Sequence, residues 1–207
     1  MFKSIKYFLF KRRRNKFINE MYVNEDPWSA VLVFDLISGF IITHTQGQYK
    51  QVLDVGCGEG LLTSTLKKMS VNYTGIDVSQ AALARAYEKN KDLKETEFKL
   101  LDFDEISSHA SETNKKFDLL CFNFTLDYLG FQKHPKKFTQ NLYSVLSTST
   151  APHCDLLIFN PIYSEKNLED LKKYVFLFKN FGFNLKKQEL FKTSGFQLAC
   201  LKLVKRE

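Results

Sequence analysis

One stretch, Val52-Leu53-Asp54-Val55-Gly56-Cys57-Gly58-Glu59-Gly60, limits what this chain can fold into more than any other. An apolar run breaks into glycines at every second position and then resumes with helical spacing, which reads as strand, tight turn, helix. Glycine lets the backbone turn sharply and leaves no Cβ between chain and ligand. The helix that follows presents free N–H donors at its start. A lone glycine triplet is most often a plain turn, so the surrounding pattern decides what this one means.

That pattern is an alternation of strands and helices. Strands are expected at 51–55, 72–76, 98–101, 117–122 and 155–159. Helices are expected at 61–68, 80–89, 138–146 and 168–178, the second of them capped by the Ser79 hydroxyl. Two further strands, 184–191 and 197–204, close the chain with Ser194-Gly195 between them, and the Ser/Thr run 147–151 reads as a loop. Strands buried on both faces and separated by helices predict a doubly wound, mostly parallel α/β sheet. Ahead of it, residues 3–22 read as one or two amphipathic helices with Phe2, Ile5, Leu9 and Arg13 near one face. Asp26-Pro27 breaks that pattern, and residues 28–43 read as another helix. The expected organisation is an N-terminal helical cap over residues 1–48 and an α/β domain over 49–207.

Composition narrows the partners. The chain has 207 residues and a formal net charge of +7. The excess sits at the ends: residues 1–24 carry +6, residues 161–207 carry +5, and the middle is mildly acidic at −4. A protein coated with basic residues for nucleic acid is therefore disfavoured. The cysteines, Cys57, Cys121, Cys154 and Cys200, are widely spaced with no C-x-x-C pair, which argues against a disulfide framework or a zinc site and for a reducing, cytoplasmic compartment. No apolar run reaches the roughly 18 residues of a membrane span. The charge at the N-terminus follows its apolar stretch, the wrong order for a secretory signal.

Three acids give the glycine turn a chemical context. Asp54 precedes the glycines, where a dinucleotide fingerprint has an apolar residue. Asp77 ends the second strand, where an acid can accept hydrogen bonds from both hydroxyls of a ribose. Asp102 ends the third, where it can accept from an adenine amino group, with Phe103 beside it to pack on a ring. The order Asp54 to Gly60, then Gly75-Ile76-Asp77, then Asp102, then Phe117-Asp118-Leu119-Leu120-Cys121-Phe122-Asn123 resembles the class I S-adenosylmethionine-dependent methyltransferases over roughly residues 50–204. The resemblance implies a Rossmann-like seven-stranded sheet with an antiparallel C-terminal hairpin, and S-adenosyl-L-methionine as cofactor. It implies that Gly56, Cys57, Gly58 and Gly60 approach the methionine and ribose, that Asp54 orients that loop, and that Asp77 holds the ribose. It also implies that Val78 packs on adenine, that Asp102 binds the adenine amine, and that Asn123 lies near the methionine moiety.

Acceptor residues are harder to read. Leu126-Asp127-Tyr128-Leu129 follows strand four, where Asp127 or Tyr128 could act as a base or orient an amine. Glu25-Asp26-Pro27-Trp28 is similar to the Asp-Pro-Trp element of nodulation-type N-methyltransferases, which makes Trp28 a candidate cleft residue. The Tyr-Glu pair and Lys that follow in those enzymes are replaced by Val33-Phe34-Asp35-Leu36, so a sugar-amine acceptor is not implied. Asn160-Pro161-Ile162-Tyr163 resembles the Asn-Pro-Pro-Tyr motif of amide and adenine N-methyltransferases. It lacks the second Pro and follows strand five instead of strand four, so it reads as coincidence, with Tyr163 at the pocket border. No histidine has metal-like spacing, and His134 is a minor catalytic candidate. The expected reaction is methyl transfer to an N or O atom of a small molecule. Arg12, Arg13 and Arg14 could instead receive an acidic macromolecule such as RNA or protein, and a non-catalytic cofactor binder is the third reading.

Overall fold

The computed structural model describes residues 2–24, 31–45 and 47–205. Two helices lead, α1 (Phe2–Asn24) and α2 (Val31–His44). Then come β1 (Tyr49–Val55), α3 (Thr63–Lys68), β2 (Ser70–Asp77), α4 (Gln80–Asn90), β3 (Thr96–Leu100), α5 (Ile106–Thr113) and β4 (Phe117–Asn123). The chain continues through α6 (Pro135–Thr148), β5 (Thr150–Ile162), α7 (Glu165–Asn180), β6 (Phe183–Lys192) and β7 (Gln197–Lys205). The sheet order is β3-β2-β1-β4-β5-β7-β6. β1 to β5 are parallel, and β7 runs antiparallel to both β5 and β6. The expected seven-stranded Rossmann-like sheet with a C-terminal hairpin is therefore present.

Period-two alternation along the central strands feeds a core on each face. Leu120, Phe122, Leu156, Ile158, Leu201 and Leu203 point to the face covered by α5, α6 and α7, where Phe138, Tyr174 and Phe178 are buried. Leu119, Cys121, Leu157, Phe159, Leu198 and Cys200 point to the other. There α2 contributes Ile37, Phe40 and Ile41, and α3 contributes Leu66. Thus α2, expected within the N-terminal cap, is packed into the core of the sheet. Burying a side chain of this size contributes roughly 1.5–3 kcal/mol, so α2 holds to the domain by its apolar face.

Three local readings need correction. First, residues 103–113, left without an element in the sequence, form a 3-10 turn and α5. Only Ile106 and Ala110 of α5 are buried, too few to print a helical period on a run of Ser, His and Thr. Second, the expected loop 147–151 is shorter, because α6 runs to Thr148 and β5 starts at Thr150, which pairs with Phe117. Third, α1 is one helix, but Leu9 and Arg13 lie exposed and the inward side is mixed polar and apolar. The surface beneath it is edged with Asp102 and Asp104, so cations face in: Lys11 Nζ reaches Asp104 Oδ1 at 2.6 Å. Among the described residues, no helix is long and apolar enough to cross a membrane.

Candidate functional site

In this strand order the chain leaves β1 in opposite directions, towards β2 on one side and β4 on the other. A crevice opens at such a reversal, beyond the carboxyl ends of the strands. The cleft found there encloses about 900 Å³, open solvent included, and is lined by the glycine turn, the ends of β2 and β4, and α1.

The glycine turn is built for close approach. Gly56 and Gly58 both have positive φ, +73° and +53°, a region that costs an L side chain strain. A Cβ on Gly56 would collide with the Thr125 side chain, and one on Gly58 would stand 2.5 Å from the Tyr22 hydroxyl. Cys57 is buried in the cleft wall, and its thiol is pushed well up by burial and by the nearby Asp77 and Asp54 carboxylates. Gly60 does not line the cleft; it packs the turn against Asn90, Thr63 and Ala86.

Asp77 closes the floor. Its Oδ2 accepts the Gly58 N–H at 3.0 Å and its Oδ1 the Ser79 N–H at 2.9 Å. Burial raises its pKa and the backbone donors oppose the rise. Ser79 caps α4 by accepting from the Ala82 N–H, and Val78 lines the cleft beside it. Asp54 does not line the cleft. It is buried behind the turn, accepts the Tyr73 hydroxyl at 2.9 Å, and is pushed up to about 7 by burial, with the Tyr73 bond opposing. Asn123 is at the end of β4, and its buried Oδ1 has no hydrogen-bond partner.

Asp102 is occupied from within the chain. Its Oδ1 accepts the Phe103 N–H at 2.7 Å, and its Oδ2 takes the Arg14 guanidinium at 2.5 Å. Asn15 and Lys11 stand 3.3 and 3.2 Å from the same oxygen. The Phe103 ring lines the cleft and stacks on Phe138 at 6.0 Å. The run Arg12-Arg13-Arg14, read as one basic surface, is therefore split: Arg14 is buried on Asp102, and only Arg12 and Arg13 are exposed. Helical geometry enforces this, since neighbours on a helix point about 100° apart.

The sequence reading missed α1 itself as a wall of the cleft. Arg14, Ile18, Met21 and Tyr22 line it at helical spacing. The helix is anchored along its length: the Ser79 hydroxyl donates to Asn19 Oδ1 at 3.0 Å, and Arg85 donates to the Tyr22 carbonyl at 2.6 Å. Arg85 also pairs with the buried Glu59 at 2.5 Å. Each of these contacts joins residues more than twenty positions apart, so no local pattern announces them. Phe124 and Thr125 are further cleft residues that went unread.

Beyond Tyr128 lies a second groove of about 1330 Å³, open solvent included, sharing Arg14 and Tyr128 with the first. Asp127 lines it, with Oδ1 buried and unpartnered. Burial raises its pKa, and a hydrogen bond with Asn160 opposes the rise. Asn160, discounted in the sequence, thus stands beside Asp127, although it lies inside β5. Tyr163 is exposed, packs on Phe196 at 5.3 Å, and lines neither cleft. His134 lines the groove edge-on to Tyr7 at 5.4 Å. Trp28 and the rest of the Asp-Pro-Trp element lie outside the described residues.

Comparison with known proteins gives consistent findings. A methyltransferase-domain family model matches residues 53–149. A ubiquinone biosynthesis O-methyltransferase of Idiomarina loihiensis is 46% identical over 46 residues, covering 22% of this chain and 19% of the relative. The match thus spans about a fifth of that relative's length. Among solved structures, the N-methyltransferase NodS from Bradyrhizobium japonicum with S-adenosyl-L-homocysteine aligns at TM-score 0.72 and 15% identity, over 94% of this chain and 99% of that one. The 1,6-didemethyltoxoflavin-N1-methyltransferase of Burkholderia thailandensis aligns at 0.73 and 15%, over 98% and 90%.

Proposed function

We propose that this chain, whose domain is that of a class I S-adenosylmethionine-dependent methyltransferase, transfers a methyl group from S-adenosyl-L-methionine to an N or O atom of a small-molecule acceptor. The observation that carries the reading is Asp77 at the head of the cleft. An ionised carboxylate offers about four acceptor positions. The backbone donors of Gly58, Val78 and Ser79 use only part of that capacity, leaving room for a ribose hydroxyl.

The other residues fit the same cofactor. Gly56 and Gly58 let the turn pass close beneath Thr125 and Tyr22 at the cleft wall, and the orphaned Asn123 Oδ1 is an acceptor suited to the methionine ammonium. Val78 would pack on the adenine face. Asp102, met by the Phe103 N–H, Arg14, Asn15 and Lys11, would take the adenine amine in exchange for one of these donors. Asp54 would act on the loop from behind, with Tyr73.

The bound cofactor supplies a methyl already activated on a sulfonium sulfur. The chain's own task is alignment and exclusion of water, an effect worth up to about 7–11 kcal/mol in well-oriented systems. α1 roofs the cleft and, with residues 127–134, walls the groove where the acceptor is chosen. Asp127 and Tyr128, at the junction of the two clefts, orient the acceptor, and the unpartnered Asp127 Oδ1 takes its proton where the nucleophile carries one. The four free, buried thiols support a reducing, cytoplasmic setting.

Calorimetry with S-adenosylhomocysteine tests the reading. The protein should bind it, and Asp77→Ala should weaken binding by more than tenfold, about 1.4 kcal/mol or more. Methyl label should then pass to the small-molecule fraction of a cell extract. Absence of binding by the unaltered protein ends the proposal.

A further inference from the structure

Resting on the proposed function, the identity of the acceptor can be narrowed from the second groove. Helix α1 spans both clefts with one stripe of residues. Lys6, Leu9, Phe10, Arg13 and Phe17 face the groove, while Ile18, Met21 and Tyr22 face the cofactor cleft. Arg14 and Tyr128 belong to both, so the groove opens onto the end of the cofactor cleft.

The groove is apolar at its base and cationic at its rim. Phe10 seats against Gly130, where a Cβ would lie 2.7 Å from the ring. Lys133 Nζ stands 5.4 Å above the same ring, held by the face of the aromatic and not by an acid. Lys6, Arg13 and Lys133 are exposed and have no carboxylate partner among the described residues. Asp127 is the one carboxyl among the described residues that line the groove, and it lies at the junction. Arg14 is neutralised by Asp102. Three unneutralised cations therefore surround an aromatic base, an arrangement complementary to an apolar body that carries a negative charge.

We infer that the acceptor is an amphipathic small molecule with an aromatic or apolar body and an anionic group, carboxylate or phosphate. Its body lies on Phe10 and Phe17, its anion under Lys6, Arg13 and Lys133, and its methylated atom at Asp127 and Tyr128. The three cations line one groove that adjoins the cofactor cleft through Arg14 and Tyr128, a footprint suited to a single small anion.

The test compares two probes that share one ring system. 8-Anilinonaphthalene-1-sulfonate carries an anion, and N-phenyl-1-naphthylamine does not. With the protein saturated in S-adenosylhomocysteine, the sulfonate should bind at one site about tenfold or more tighter than the neutral amine. Lys6→Ala/Arg13→Ala/Lys133→Ala should abolish that preference, with affinity for S-adenosylhomocysteine and melting temperature unchanged. Equal binding of the probes, no binding of the sulfonate, or a preference that survives the triple substitution overturns the inference. Displacement of the sulfonate by a 12-nucleotide RNA that binds more tightly, with affinity falling steeply in salt, overturns it in favour of a polyanion. In each of these outcomes S-adenosylhomocysteine still binds, which separates failure here from failure of the methyltransferase reading.

Discussion

The contact between Tyr22 and Gly58 carries a prediction that can be worked through in numbers. Gly58→Ala places a methyl group 2.5 Å from the Tyr22 hydroxyl, while ordinary contact begins near 3.4 Å. Tyr22 or the helix that carries it must retreat by about 0.9 Å to reach that limit. Tyr22 is buried at 6% exposure, so its ring has little room to turn aside. Overpacking of this kind costs typically about 1–3 kcal/mol. The backbone adds its own term, because φ at residue 58 is +53°, and an L residue in the left-handed region costs roughly 1–2 kcal/mol. The single substitution should therefore destabilise by about 2–5 kcal/mol.

Tyr22→Phe separates the two terms. Without the hydroxyl, the nearest remaining ring atom, Cζ, lies 3.5 Å from the added methyl, which is ordinary contact. In Tyr22→Phe/Gly58→Ala the clash disappears and only the backbone strain persists, so the double variant should recover about 1–3 kcal/mol relative to the sum of the singles. Urea unfolding of all four proteins measures the coupling. Additivity within about 0.5 kcal/mol would show that Tyr22 does not rest on the glycine turn.

Two further predictions follow from buried charges. Arg14→Met leaves Asp102 with Lys11, Asn15 and the Phe103 N–H, so the cost should fall at or below about 3 kcal/mol, the low end for breaking a buried pair. It should appear as faster hydrogen exchange across α1, and unchanged exchange there would refute the latch. Asp54 is pushed up to about 7 by burial from an unfolded value near 3.9. Between those values the folded state holds a proton that the unfolded chain releases, so this group's contribution to stability falls as pH rises from about 4 to 7, by up to roughly 4 kcal/mol. Asp54→Asn, compared with the parent protein by urea unfolding across that range, should remove the decline. Parallel pH profiles for the two proteins would refute it.

The sheet was legible because its signals are local and periodic. β4 and β5 are runs of apolar residues, and Ser79 announces a helix start with a single hydroxyl. Asp77 and Asp102 were legible for a related reason: Asp77 is the last residue of β2 and Asp102 follows the end of β3 by two, so position at a strand's end already gives position in the site. α5 was not legible, because a short helix on the edge of the core buries too little to mark its face.

The roof of the site was illegible for a deeper reason. Sequence reading treats a basic run as a solvated face, and for Arg12 and Arg13 that holds. Arg14 differs only in which way the helix turns it, and what it meets is Asp102, 88 residues away. Neither residue is unusual on its own. Their pairing requires that α1 already lie along the carboxyl ends of β2 to β4, which is itself fixed by Lys11 on Asp104, Asn19 at the start of α4, and Arg85 on the Tyr22 carbonyl. One consequence is functional. The acid that the sequence resemblance assigns to the adenine amine is the acid that holds the roof, so on that proposal cofactor binding and the seating of α1 would draw on the same carboxylate. Since α1 also walls the second groove, any shift of Arg14 on cofactor binding reaches Arg13 and Phe10 within one helical turn. The two clefts thus meet at Arg14 and Tyr128, and Arg14 is the one of the pair that α1 carries.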